Sequence, residues 1–315
     1  MADIAATGHR SALMARIYAD YLRMAQECAL VTATDDKHAP YLFNTIASIQ
    51  ARFPEHPLLH VFDLGMNRWQ RRELAGVSRV RLRAVEHFAP HWKKNWSWKP
   101  YILTQVPQRY VFYFDASNIV LFRPLILWFR AIANRGYMLF DNGQKMFQTT
   151  PPDYWALFDC DPQRWSEAVT FGAGLMGLDR DGIAGTILDE VLERTRQGWT
   201  LGCSANETRL AYDRSVVREC ECFRADQTLF NLAFRKHIGE LVLRNERKYC
   251  GLSGPADAPR QYLWYARRQR RSLIYFWRPI GRLDLTFLFN RLLSYLRILA
   301  KDCAVWLLRL WSGRR

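Results

Sequence analysis

Asp115 and Ser117 place a carboxylate and a hydroxyl two residues apart, directly after the apolar run Val111-Phe112-Tyr113-Phe114. Side chains at this spacing on a strand share one side, and hard cations that carry phosphates take such oxygen ligands. Asp, Ser and the following Asn118 also favour turns, so a plain turn is the competing reading. Two further carboxylates stand in the same relation to apolar runs: Asp35 after Ala29–Ala33 and Asp63 after Leu58–Phe62. Each alone suits a helix cap. Three on one sheet edge fit a ligand site, because open α/β sheets bind ligands at the carboxyl ends of their strands. Lys99, in WSWKPYIL just ahead of the Asp115 run, offers a basic group for a phosphate. The glycines of Phe171-Gly172-Ala173-Gly174 mark a close approach to a ligand or to another strand. Asp226 and Gln227 open a helical pattern, where capping is the alternative role.

These residues need a scaffold, and the pattern around them supplies one. Leu13, Ile17, Tyr18, Leu22 and Met24 recur at helical spacing over 11–27, and Ala29–Ala33 reads as a strand. A helix with Leu42, Ile46 and Ile49 on one face follows, then a strand at Leu58–Phe62, a helix at Arg68–Leu74 and a strand at Val77–Val85. Alternating strands and helices predict an α/β fold with a mostly parallel sheet flanked by helices. The polar stretch from Asp141 to Trp165, with Pro151 and Pro152, reads as a long loop over the site. Trp96 and Trp98 can stack on a base or sugar, or simply pack in the core. No G-x-G-x-x-G follows the first strand and no P-loop motif occurs, which argues against dehydrogenase and P-loop chemistry. The seven cysteines include no zinc spacing; Cys220-Glu221-Cys222 is the one close pair. With no charged-then-apolar leader in the sequence, a cytoplasmic setting with reduced thiols is the expectation.

Five blocks, in order, resemble family 8 glycosyltransferases and their relatives with the GT-A fold. LVTATDDKHAPYLFNTIASIQ (30–50) is similar to the family's opening strand and helix, and VFDLGMNRWQRREL (61–74) to its second strand. YVFYFDASNIVLF occupies the place of the Asp-x-Asp strand, FGAGLMGL (171–178) that of the Ala-Gly strand, and ADQTLFN (225–231) that of the Asp-Gln motif. The resemblance implies a GT-A type, Rossmann-like domain over 1–265, with its core at 30–235. It implies a nucleotide-diphosphate sugar donor, most simply a UDP-sugar, with Thr32, Ala33, Asp35 and Asp63 at the nucleoside. Gly172, Ala173 and Gly174 would lie at the sugar with Asp226 and Gln227 as catalytic residues; should the metal site be degenerate, Lys99 is a candidate basic group for the diphosphate. It further implies a divalent cation, Mn2+ or Mg2+, on Asp115 and Ser117. The chain departs from the family in three ways: Ser117 replaces the second Asp, His38 stands where relatives have Tyr, and the late His-x-Gly-x-x-Lys-Pro-Trp motif is absent.

Charge separates the last segment from the rest. From Arg260 onward there are 13 Lys and Arg against 2 Asp and Glu, most of the chain's net +15. Over 281–311, Leu292, Leu296, Leu299, Cys303, Leu307 and Leu310 share one helical face and Arg291, Arg297, Lys301 and Arg309 the other. Charges interrupt every window long enough to span a bilayer. Residues 266–315 therefore read as a basic amphipathic helical segment suited to an anionic membrane surface, with packing on the domain as the alternative. The functional expectation is glycosyl transfer to a cell-surface glycan or glycolipid by a protein peripheral on the inner membrane face. The competing expectation is a non-catalytic protein that binds nucleic acid or a glycan through the basic, aromatic tail or a degenerate site. No nucleic-acid motif supports the former of these.

Overall fold

The computed structural model describes residues 15–120, 125–202, 220, 222–245, 250–251 and 263–265. The basic segment 266–315 and its expected helix lie outside these, as does Glu221 of the Cys220–Cys222 pair.

A helix over 15–24 (α1) leads through a short turn into strand Cys28–Thr34 (β1), helix Ala39–Arg52 (α2) and strand Leu58–Asp63 (β2). Helix Arg68–Ala75 (α3), strand Val80–Ala84 (β3), helix Trp98–Thr104 (α4) and strand Tyr110–Phe114 (β4) follow. The short strand Asn118–Val120 (β5) leaves the Asp115 turn and precedes helix Leu125–Arg135 (α5) and strand Tyr137–Lys145 (β6). Three short helices, Met146–Thr149 (α6), Pro152–Leu157 (α7) and Pro162–Trp165 (α8), lead to strand Val169–Asp179 (β7) and helix Ile183–Arg196 (α9). Helix Asp226–Ile238 (α10) and strand Arg244–Asn245 (β8) complete the main unit.

The main sheet has seven strands in the order β3-β2-β1-β4-β7-β6-β8. β7 runs antiparallel to both neighbours and the other pairings are parallel. The α/β, mostly parallel sheet expected from the alternation is thus present. Its central strands are buried on both faces, which explains their continuous rather than alternating apolar character. Along β1, Ala29, Val31 and Ala33 join the core shared with α4, α9 and α10, while Cys28 and Leu30 join the core shared with α2 and α5. β4 divides the same way, with Val111 and Tyr113 on one face and Tyr110, Phe112 and Phe114 on the other.

Two expectations need correction. The stretch from Asp141 to Trp165 is not a long loop: Asp141 lies within β6, and register shifts along β6 carry its polar residues beside β7. There Thr170 donates to Asn142 Oδ1 at 2.7 Å, so the polarity reflects a strand edge. Pro152 and Pro162 occupy first helical positions, where the missing N–H costs nothing, instead of punctuating a loop. The third strand begins at Val80 rather than Val77, because Arg79 at φ 58° turns the chain first. Gly177 of β7 has a steric reason to be glycine. A Cβ there would lie 2.5 Å from Ile132 Cδ1 and 2.6 Å from its Cγ1, where α5 crosses the sheet.

Candidate active site

β1 and β4 are adjacent and parallel, so the Asp35 and Asp115 segments leave the same sheet edge side by side. α2 fixes the second of these segments from behind. Thr45 donates to the Ala116 carbonyl at 2.7 Å, and Val120 N donates to Ser48 Oγ at 2.9 Å. β7 fixes it from the side through Asp115 N, which donates to the Gly174 carbonyl at 2.9 Å. Asn118 closes the turn by donating from its backbone and side-chain nitrogens to the Asp115 carbonyl. The turn reading holds for this segment, and the turn leaves the Asp115 side chain 42% exposed on the lining of a cleft.

The cleft has two lobes that share Asn95, Trp96 and Asp115. Ala33, Thr34, Asp35 and His38 line the first, together with Lys93, Trp98 and Ser117. Lys99, Ala173, Gly174, Asp226 and Gln227 line the second, with Arg224. In the first lobe Asp35 Oδ1 accepts from His38 N at 2.8 Å and meets His38 Nδ1 at 2.6 Å. Although burial opposes ionisation of Asp35, these interactions outweigh it and hold its carboxyl below the usual range.

The second lobe is organised by a buried charge cluster. Lys99, on α4, is 3% exposed, and its Nζ lies 2.8 Å from Asp226 Oδ2 and 3.9 Å from Asp115 Oδ1. It also donates to the Ala173 carbonyl at 3.0 Å and sits 5.1 Å from the Tyr113 ring centre. Burial works against the ammonium, but Asp226 and Asp115 more than offset it and raise Lys99 above its ordinary value. Burial pushes Asp226 upward while Lys99 opposes that shift; at 2.8 Å we take the two as an ion pair. Tyr113 Oη donates to Asp115 Oδ1 at 2.7 Å, so one face of the Asp115 carboxylate is held and the other is open.

Asp226 is the first residue of α10, not its cap. Ala225 holds the cap position at φ 46° and makes no side-chain bond. Asn95 and Trp96, at φ 46° and 57°, are also in the sparsely populated positive region. All three line the second lobe. Such conformations persist only where surroundings enforce them, and they cluster at functional sites. Gln227 Nε2 is buried at the same lobe with no hydrogen-bond partner, a donor left for something else to satisfy.

The structure does not bring every expected residue here. Asp63 is absent from the cleft lining. Its Oδ1 accepts from Gly65 N and Met66 N and its Oδ2 from Arg71, and these bonds depress its pKa despite burial. Thr32 is fully buried and absent from the lining, where Ala33 and Thr34 stand. Gly172 likewise falls outside the lining, whereas Ala173 and Gly174 form it. Trp98 packs in the core and borders the first lobe, and Trp96 is half exposed over both lobes. Lys93 and Arg224 escaped sequence reasoning, because an isolated basic residue carries no pattern.

The donor set that the described residues present at Asp115 does not fit a tightly held divalent cation. Such ions require several hard oxygen or imidazole ligands. Asp115 contributes one open carboxylate, Ser117 is a neutral hydroxyl only 9% exposed, and Asp226 is occupied by Lys99. No group of three His, Cys, Asp or Glu suited to a metal occurs among the described residues. The sequence has no histidine after His237, and His237 itself is engaged by Glu190.

No family model matches the chain, and no curated protein matches it by sequence. Its fold does match solved structures. The galactosyltransferase LgtC, in complex with donor and acceptor sugar analogues, aligns at a TM-score of 0.50 and 14% identity. That alignment covers 83% of this chain and 99% of LgtC. The bifunctional glycosyltransferase WbbM aligns at 0.52 and 11% identity, over 84% of this chain and 51% of WbbM. At these identities the shared property is the fold, which is GT-A. No helix among the described residues is long and apolar enough to cross a membrane.

Proposed function

We propose that this chain is a glycosyltransferase that moves a sugar from a nucleotide-diphosphate donor, a UDP-sugar, to a glycan or glycolipid acceptor. The observation that carries this reading is the Lys99–Asp226–Asp115 cluster at the junction of a two-lobed cleft on the carboxyl edge of a GT-A sheet. The first lobe, with Ala33, Thr34, Asp35 and His38, takes the nucleoside; the second takes the sugar. The diphosphate then spans the shared floor beside Asp115. Asp226 and Gln227 face the sugar: the Gln227 amide donates to a sugar oxygen, and Asp226 places a carboxylate where positive character develops on the ring. Preorganised groups aimed at developing charge lower such barriers without reorganising during reaction. Lys99 holds Asp226 in place. We assign the protein to the cytoplasmic face of an anionic membrane, attached peripherally through its basic segment, on the composition of that segment.

Incubation with a panel of sugar nucleotides, read by release of nucleoside diphosphate, tests the reading. One donor should be turned over, and Asp115→Asn should lower kcat at least about 100-fold, the scale of losing one transition-state contact. Because Asp115 is partly exposed, the variant's Tm should match that of the parent. Donor binding without any turnover would favour the non-catalytic glycan-binding alternative.

A further inference from the structure

Transfer from a nucleoside diphosphate requires positive charge beside the leaving group, and the donor set around Asp115 is poorly suited to holding it as a metal ion. Among the described residues, two exposed side-chain cations line the cleft. Lys93 lines the first lobe, and its ammonium stands 3.3 Å from where a Cβ on Gly65 would lie. Arg224 lines the second lobe, directly before Ala225 and Asp226. Both side chains are exposed, and neither has a carboxylate partner among the described residues. This distinguishes them from Lys99, which is buried and whose ammonium is already committed to Asp226 and the Ala173 carbonyl.

We infer that Lys93 and Arg224, one on each lobe, bind the donor's diphosphate and supply the charge compensation that leaves Asp115 without need of a tightly bound divalent cation. This rests on the glycosyl-transfer reading and deepens it. A diphosphate carries more charge than one side chain can match, and the lobes meet at Asp115, so a group on each side brackets the phosphates. Arg presents a planar fork to phosphate oxygens and Lys a compact point charge. As the sugar–oxygen bond breaks, its electron pair passes to the terminal phosphate, and the two cations stabilise the charge gathered there. The acceptor hydroxyl's oxygen forms the new bond to the sugar, and its proton leaves to solvent.

Calorimetric titration of the full chain with UDP, GDP and CDP, and with the matching nucleosides, tests this in EDTA and in Mn2+. The expected result is that the preferred diphosphate binds with a Kd that agrees within about threefold between the two conditions. Lys93→Gln and Arg224→Gln should each weaken the diphosphate about tenfold or more, while leaving the nucleoside's affinity unchanged. The nucleoside control separates loss of phosphate contact from misfolding, and Lys93→Arg should restore most of the affinity. Diphosphate binding that disappears in EDTA and returns with Mn2+ would overturn the inference while sustaining the donor-binding reading. Unchanged diphosphate affinity in both glutamine variants would do the same. Failure of every diphosphate to bind under either condition would sink both.

Discussion

Lys99 and Asp226 form a charge pair almost wholly out of water, 2.8 Å apart. Such pairs contribute little net stability, yet removing one member strands the other and costs about 3–5 kcal/mol. Lys99→Met should therefore destabilise the protein by about that amount, read from denaturant midpoints at unchanged m-value. Lys99→Met combined with Asp226→Leu should regain much of the loss but no donor turnover, since the proposed function sets Asp226 against the sugar. A single Lys99→Met variant as stable as the parent would show that Asp226 is not held as an ion. At this scale the sequence was informative where residues follow strands. Asp115 and Asp35 were legible because an apolar run ending in a carboxylate is a local pattern. The pairing of Lys99 with Asp226 was not, because it depends on α4 and α10 meeting across β4 and β7. Asp63 shows the opposite error: it has the same local pattern, but its oxygens are spent on the turn and on Arg71.

The element that governs the site is the Asp115 turn, clamped between α2 and β7. Its position thus depends on how closely β7 and α5 pack, and Gly177 sets that distance. Gly177→Ala would force Ile132 to move or the helix to withdraw, and overpacking of this kind costs about 1–3 kcal/mol. Thermal unfolding should show the loss, and Gly177→Ala with Ile132→Val should recover part of it. A neutral single substitution would mean that Ile132 repacks freely. The parallel strands were readable from their alternation with helices. β7 was readable as a strand but not in its direction, because antiparallel pairing within a mostly parallel sheet depends on connections and not on composition. β6 was not legible for a related reason: its second half is polar, and it reaches Phe171 and Val169 of β7 through register shifts that no local pattern announces.

Across the whole molecule, acid sensitivity should reach beyond the carboxylates. His60 lies in the middle of β2, fully buried, with Nε2 2.9 Å from Gln108 Oε1. Burial, with nearby Arg83 and Arg81, pushes its pKa down to about 4. Between that value and the unfolded value near 6.5, the unfolded chain binds a proton that the folded chain refuses. The stability contribution is therefore fully present above about pH 6.5 and is lost progressively as pH falls towards 4, by roughly 3 kcal/mol in all. Denaturant titrations at intervals over this window should show the decline, and His60→Gln should flatten it. Depressed carboxylates such as Asp63 contribute separately, at lower pH. A parent protein with constant stability from pH 7 to 4.5 would contradict the burial of a neutral imidazole.

The strand that leaves the Asp115 turn has a partner from far along the chain. β5 pairs antiparallel with Leu263–Tyr265, and Tyr265 sits opposite Asn118. The chain therefore enters its basic final 50 residues within one strand spacing of the loop that carries Asp115. The strand after the Asp115 turn and the strand that precedes the basic segment are thus joined by backbone hydrogen bonds. On the proposed peripheral attachment, a surface that captured the basic segment would hold the cleft near itself. Acceptors embedded in that surface would then meet the donor at high effective concentration, by tethering instead of by affinity.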